Sequence, residues 1–349
     1  MNPALAVMQT LQDNAETLWV GGEGGMEARL VKRANVPFKT IPAAGVHGVG
    51  LKALPGNLFR LALGFFASRR ILAEFKPDVL FFTGGFLAVP MALAGMHIPT
   101  ALYVPDIEPA LALKTLARFA DRIAVTAEDS FQYFKRPERI LLTGYPTRAD
   151  LAGWKRTEAR QSLNLNDNIQ VLLVVGGSKG ARSINNAVLA NLPALLEKVQ
   201  VVHITGELDW PDVKEKVREL NETQSARYHP YPYLYEQMGA ALASADLVLS
   251  RAGASTLGEF PFFGLPAVLV PYPYAWRYQK VNSEYLVKRG AAVALEDASL
   301  PDQLLPVLND LLGNPQKLTS MRAAMQSQSR PHAAAEIGRL LLALSGERR

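Results

Sequence analysis

The chain has no cysteine among its 349 residues. Disulfides, thiolate metal sites and cysteine nucleophiles are therefore excluded together, which fits a reducing compartment. Histidine is scarce, with five residues and no spacing of a ligand cluster among them, and no Asp-x-Asp pair occurs. We expect no metal site and no cofactor, and lone His203 and His229 read as structural. Neither a phosphate loop ending in Gly-Lys-Ser/Thr nor a G-x-G-x-x-G fingerprint is present, which argues against nucleotide hydrolases and NAD-dependent enzymes. Acid is scarce in one place: residues 29–76 hold nine Lys or Arg against a single Glu74, in a chain of net charge +5. Such a stretch attracts anions, and without a helix-turn-helix, zinc or RNA-module signature a nucleic-acid partner is not expected. An anionic membrane surface or a phosphorylated substrate remains.

What is present is a globular make-up, 49% apolar and 20% charged, long enough for two domains. Between Asp78 and Asp106 no Asp, Glu, Lys or Arg occurs, which calls for a membrane test. The stretch reads instead as strand Val79-Leu-Phe-Phe82, turn Thr83-Gly84-Gly85, a short helix around Pro90, and strand 100–104. The same alternation predicts strands near 17–20, 79–82, 100–104 and 122–126, then 171–175, 200–204, 246–250 and 267–270. Each series implies βαβ units, so the fold class is α/β with two doubly wound parallel sheets. We expect an N-terminal domain over 1–148, a linker over 149–168, a C-terminal domain over 169–330 and a last helix within 331–349. Ligands of such sheets bind at the carboxyl ends of strands, so the site is expected in a cleft between the halves.

Four motifs stand at expected strand ends. Val171-Leu-Leu-Val-Val-Gly-Gly-Ser178-Lys-Gly-Ala-Arg-Ser-Ile-Asn185 runs from a strand through glycines into a helix, an anion site if not simply a tight turn. Asp246-Leu-Val-Leu-Ser-Arg-Ala-Gly253-Ala254-Ser255-Thr256-Leu257-Gly258-Glu259 repeats the pattern. Its Glu259 suits a capping box or the two hydroxyls of a ribose. Gly264-Leu-Pro-Ala-Val-Leu-Val-Pro271 leads to an aromatic loop and to Gln279 and Asn282, one turn apart and suited to sugar hydroxyls. Thr143-Gly-Tyr-Pro-Thr-Arg148 puts a guanidinium where a pyrophosphate could lie.

Together with His203-Ile-Thr-Gly206, these motifs resemble the MurG family over almost the whole chain, from Asn2-Pro-Ala-Leu-Ala to the last helix. Members transfer N-acetylglucosamine from its UDP donor to lipid I, the undecaprenyl-linked precursor of peptidoglycan, as peripheral proteins on the cytoplasmic face of the cell membrane. The resemblance implies the GT-B fold, two Rossmann-like domains, with the donor held mainly by the second and without a bound metal. It makes Ser178 and Arg148 contacts of UDP-N-acetylglucosamine, and Ala254, Ser255, Thr256, Leu257, Gly258 and Glu259 the nucleotide loop with Glu259 on the ribose. It also sets the Tyr235 backbone on uracil and Gln279 on the sugar, with Asn282 beside it. The last helix is expected to return to the first domain.

The chain departs from the family in two places. The family opens with a strand and a Gly-Gly-Thr-Gly-Gly-His loop before Pro-Ala-Leu-Ala, whereas here Met1-Asn2 stands there, and we expect a misplaced start. Its His-Glu-Gln-Asn segment is replaced by Tyr103-Val-Pro-Asp106-Ile-Glu108-Pro, so Asp106 and Glu108 become the candidate bases of an inverting transfer. Another lipid acceptor, or a non-catalytic UDP-sugar-binding protein, stays open. On 54–70, Leu58, Phe59, Leu61, Ala62, Phe65 and Phe66 with Arg60, Arg69 and Arg70 suggest a surface for an anionic inner membrane, against the plainer reading of a helix packed in the core.

Overall fold

A computed structural model describes residues 2–11, 14–23, 31, 34–44, 54–85, 87–177, 180–274 and 277–346. The chain divides into two compact units. Unit 1 comprises 1–147 and 331–349, and unit 2 comprises 148–330.

Unit 1 contains α1 (Asn2–Gln9), β1 (Trp19–Gly22), β2 (Phe38–Ile41), α2 (Leu54–Phe75), β3 (Leu80–Phe82), α3 (Ala88–Ala94), β4 (Thr100–Val104), α4 (Leu111–Leu116), β5 (Arg122–Val125) and β6 (Ile140–Leu142). β3-β4-β5-β6 form one parallel sheet and β1-β2 a second, parallel pair. Among the described residues no ladder joins the two sheets. They nevertheless share one core, to which Ile41, Leu80, Phe82, Leu102 and Val104 all belong. Continuous apolar runs such as Ala101-Leu-Tyr-Val104, fully buried, are what a strand needs when helices cover both faces. The uncharged segment after Asp78 is thus β3, α3 and β4, and no helix among the described residues is long and apolar enough to cross a membrane.

Unit 2 follows with α5 (Ala149–Ala152), α6 (Arg156–Ser162), β7 (Val171–Val175), α7 (Arg182–Ala190), α8 (Leu192–Leu196), β8 (Gln200–Ile204), α9 (Trp210–Val217), α10 (Glu222–Ser225) and β9 (Tyr228–Tyr231). It continues with α11 (Met238–Ser244), β10 (Leu247–Ser250), α12 (Glu259–Phe263), β11 (Ala267–Leu269), α13 (Tyr278–Lys288), β12 (Ala292–Ala294), α14 (Leu300–Leu312) and α15 (Pro315–Gln326). Its sheet is all parallel, in the order β12-β11-β10-β7-β8-β9. Residues 149–168, where composition puts the connection between the halves, carry α5 and α6, and both pack on α11. Leu151, Ala159 and Leu163 supply the buried side chains. Leu300, Leu304, Leu308 and Leu311 of α14, recurring at helical spacing, are buried in the core of this sheet.

The final helix, α16 (Ala333–Gly346), belongs to unit 1 and lies on α1. Ala333, Ile337, Leu341 and Leu344 form its buried stripe. A side chain at Gly338 would put a Cβ 2.5 Å from the Thr10 hydroxyl, so the two helices approach through a glycine.

Candidate functional site

In unit 2 the singled-out loops leave the carboxyl ends of three neighbouring strands. β7 passes through Gly176 and Gly177 to Gly180 and then α7. Gly180 has φ +78°, and a Cβ there would lie 2.3 Å from the Thr205 carbonyl, so this turn admits glycine only. The first N–H groups of α7 and its dipole favour an anion. Ser178, the expected phosphate contact, lies outside the described residues.

A buried polar chain underlies this turn. Asn185 of α7 donates to the Thr205 carbonyl and to Asp209, each at 2.8 Å. Its Oδ1 is 3.0 Å from His203 Nε2, and His203 Nδ1 is 2.9 Å from the Tyr228 hydroxyl. Burial depresses the His203 pKa to about 3, with the Asp209 charge opposing, so the ring is neutral. Since an amide oxygen only accepts, Nε2 carries the proton and Nδ1 accepts from Tyr228. His203 is therefore a structural link.

The loop after β10 makes one 3-10 turn over Ala254–Leu257. There the Thr256 hydroxyl donates to the Gly253 carbonyl at 2.7 Å, and Glu259 begins α12. Burial pushes the Glu259 carboxyl up to about 7, with Arg148 opposing the rise and Asp150 adding to it. Arg148 immediately precedes α5 and lies 3.5 Å from the Asp150 carboxylate. Its Nε is buried without a hydrogen bond. The Tyr233 phenol is raised by burial and senses Tyr235, Arg148 and Glu259. Its ring lies 4.4 Å from that of Tyr235, which is 52% exposed. Arg148, Glu259 and the pair Tyr233 and Tyr235 are thus brought together from three separate stretches of sequence.

After β11 the chain turns through Tyr272 and Tyr274. The Tyr272 N–H donates to Gln279 Oε1 at 2.8 Å. Asn282, expected to face a ligand, is instead fully buried and donates to the Ala252 carbonyl at 3.1 Å. Asn282 thus shapes the β10 loop from behind, while Gln279 holds the aromatic loop. Sequence reasoning missed a hub here. Arg251 donates to Asp297, to the Val270 carbonyl at 3.2 Å and to the Ser183 hydroxyl at 2.7 Å, and sits 5.2 Å over the Tyr272 ring. Arg251 and Ser183 lie inside the motifs, but Asp297 has no spacing that announces it.

In unit 1 the segment after β4 carries both candidate bases. Glu108 is 3% exposed and paired at 3.0 Å with Lys114, whose Nζ stands 5.2 Å over the Tyr133 ring. A carboxylate so buried requires a counter-ion, and this pairing sets Glu108 apart from a base that must exchange protons. Asp106 is half-buried. Tyr103 is fully buried, its hydroxyl 2.7 Å from Thr126 Oγ1; burial pushes its phenol well up, with Tyr145 and Asp106 adding to the rise. On α2, Leu58, Phe59, Leu63 and Phe66 are exposed, Phe59 by 65% and Phe66 by 67%. Phe65 turns inward, half-buried, and lines a groove of about 840 Å³ between α2 and α3. Among the described residues no group of three His, Asp or Glu could hold a metal ion.

Comparison with known proteins follows this division. Residues 171–337 match the glycosyltransferase family 28 C-terminal domain and residues 1–125 the glycosyltransferase family 28 N-terminal domain. A protein of Roseiflexus sp. (strain RS-1) is 39% identical over 364 residues, covering 93% of this chain and 82% of its own length. One from Desulforamulus reducens is 36% identical over 348 residues, covering 96% and 93%. Both are named UDP-N-acetylglucosamine--N-acetylmuramyl-(pentapeptide) pyrophosphoryl-undecaprenol N-acetylglucosamine transferase. The crystal structure of Acinetobacter baumannii MurG superposes with a TM-score of 0.76 at 27% identity, covering 98% of this chain and 95% of that one. A UDP-GlcNAc 2-epimerase from Neisseria meningitidis bound to UDP-GlcNAc, at 14% identity and TM-score 0.69 over 98% and 96% of the two chains, shares the fold.

Proposed function

Because the chain belongs to glycosyltransferase family 28, we propose that it moves N-acetylglucosamine from UDP-N-acetylglucosamine to lipid I, the N-acetylmuramyl-(pentapeptide) pyrophosphoryl-undecaprenol named in its relatives, and so makes lipid II for peptidoglycan. The fold is GT-B, and the activity is that of a UDP-sugar-dependent glycosyltransferase. The observation that carries the donor half is Glu259. Burial holds its carboxyl near pH 7 beside the Arg148 guanidinium, and a ribose diol donating two hydrogen bonds would replace the water that burial removed.

In this reading the diphosphate meets the start of α7, with Ser178, and the buried Arg148 Nε. The Tyr235 backbone meets uracil, Gln279 the sugar, and the 254–258 turn closes on the nucleotide. Transfer is an inverting displacement. An acceptor hydroxyl forms a bond to the anomeric carbon and loses its proton to a base, while the bond to UDP breaks. The leaving diphosphate gains negative charge that N–H groups and Arg148 stabilise. Asp106 takes the proton, while Glu108 holds Lys114 in place. The exposed Leu58, Phe59, Leu63 and Phe66, flanked by Arg60, Arg69 and Arg70, rest on the anionic cytoplasmic face of the membrane, where a lipid-linked acceptor is reached.

The purified chain, given labelled donor and lipid I in mixed micelles, is expected to release UDP and form lipid II. Absence of transfer, with the donor bound, overturns the catalytic reading.

A further inference from the structure

We infer that Asp297 is a positioning residue for the donor, the anchor that fixes three nucleotide-facing loops of unit 2 as one platform; this rests on the donor reading above. Asp297 follows β12, at the start of a 3-10 turn over Asp297–Ser299, and belongs to none of the motifs. Its Oδ1 accepts from the Ser183 hydroxyl at 2.7 Å and from the Arg251 guanidinium. Ser183 stands in the first turn of α7, directly after the glycine turn. Its oxygen also accepts from Arg251 Nη2 at 2.7 Å, so the three side chains close a ring.

Arg251 carries the restraint onward. It donates to the carbonyl of Val270, one residue beyond β11, at 3.2 Å and stacks over the ring of Tyr272, the residue whose N–H reaches Gln279. Both Arg251 and Asp297 are mostly shielded, at 10% and 23% side-chain exposure. A shielded guanidinium with five donors is aimed by its acceptors, and Asp297 is the anion among them. Without that charge, the α7 start, the β10 loop and the aromatic loop lose their common fixed point. Donor binding must then order them anew, at the expense of affinity.

The test replaces Asp297 by Asn, which keeps the shape and removes the charge, and by Glu as the conservative rescue. For Asp297→Asn we expect the Kd for UDP-N-acetylglucosamine, by calorimetry, to rise about tenfold and its KM to rise in step. The KM for the acceptor should not move, and kcat should stay within about threefold. Asp297→Glu should recover part of the loss. Asp297→Asn combined with Ser183→Ala should cost less than the two single changes added together, because both break one ring. A wild-type Kd in Asp297→Asn, or a fall in Tm with Kd and KM unchanged, makes Asp297 purely structural and overturns the inference. If the wild-type protein itself fails to bind the donor, the donor reading is what falls.

Discussion

On the proposed donor reading, Glu259 would hold a proton and the ribose with the same two oxygens, so the two compete. Its carboxyl titrates near 7 in the folded chain because burial disfavours the charge. The stability this confers is fully present below the ordinary value of 4.5 and is lost as pH rises through about 7. Ribose hydroxyls donate and so favour the ionised form. UDP-N-acetylglucosamine, whose diester phosphates do not titrate in this range, should therefore bind more tightly at about pH 8 than at about pH 6, releasing a proton as it binds. Calorimetry in two buffers of different ionisation heat reads that release directly, and Glu259→Gln should abolish it. Glu259→Ala should weaken donor binding by at least about tenfold; an unchanged Kd would remove the ribose role. Asp106→Asn should lower kcat by at least about a hundredfold with the donor Kd intact, whereas retained turnover would move the base elsewhere. The local structure of the motifs was legible in the sequence because each is a single strand-loop-helix passage. The Arg251–Asp297 pair was not, since the two residues are 46 positions apart and meet only when β10 and β12 take their places in one sheet.

At the scale of elements, α2 shows how periodicity alone misleads. Phe65 and Phe66 read alike in sequence, yet Phe65 turns into the groove against α3 while Phe66 faces outward with Leu58 and Phe59. The membrane test accordingly belongs to Phe59 and Phe66. Replacing both by Ser should reduce co-sedimentation with anionic vesicles at low salt and leave Tm within a degree or two, each flanking cation being worth about 1 kcal/mol. Vesicle binding equal to wild type would put the contact elsewhere. The His203 link gives a second element-scale outcome. His203→Leu strands Asn185 Oδ1 and the Tyr228 hydroxyl, each at about 1–3 kcal/mol, and thermal unfolding should show Tm lower by several degrees. The strands missed from sequence were β2, β6, β9 and β12, each at an edge of its sheet. An edge strand has one flank uncovered, so Phe38-Lys-Thr-Ile41 and Tyr228-His-Pro-Tyr231 mix exposed and polar positions and lack the continuous apolar run that marks a central strand.

For the whole molecule, the donor's negative charge is met in this reading by α7 and Arg148, so transfer should persist in EDTA. A strict requirement for magnesium or manganese would show that the diphosphate is neutralised by an ion. The chain also crosses between its units twice, leaving unit 1 after Thr147 and re-entering it at Pro331 to lay α16 on α1. Unit 2 is one uninterrupted stretch; unit 1 is not. During synthesis, therefore, the ribosome delivers every part of unit 2 before the helix that covers α1 exists. The buried faces of Ala4, Val7 and Leu11 stay uncovered while all of unit 2 is being synthesised, a window in which exposed apolar surface is open to aggregation.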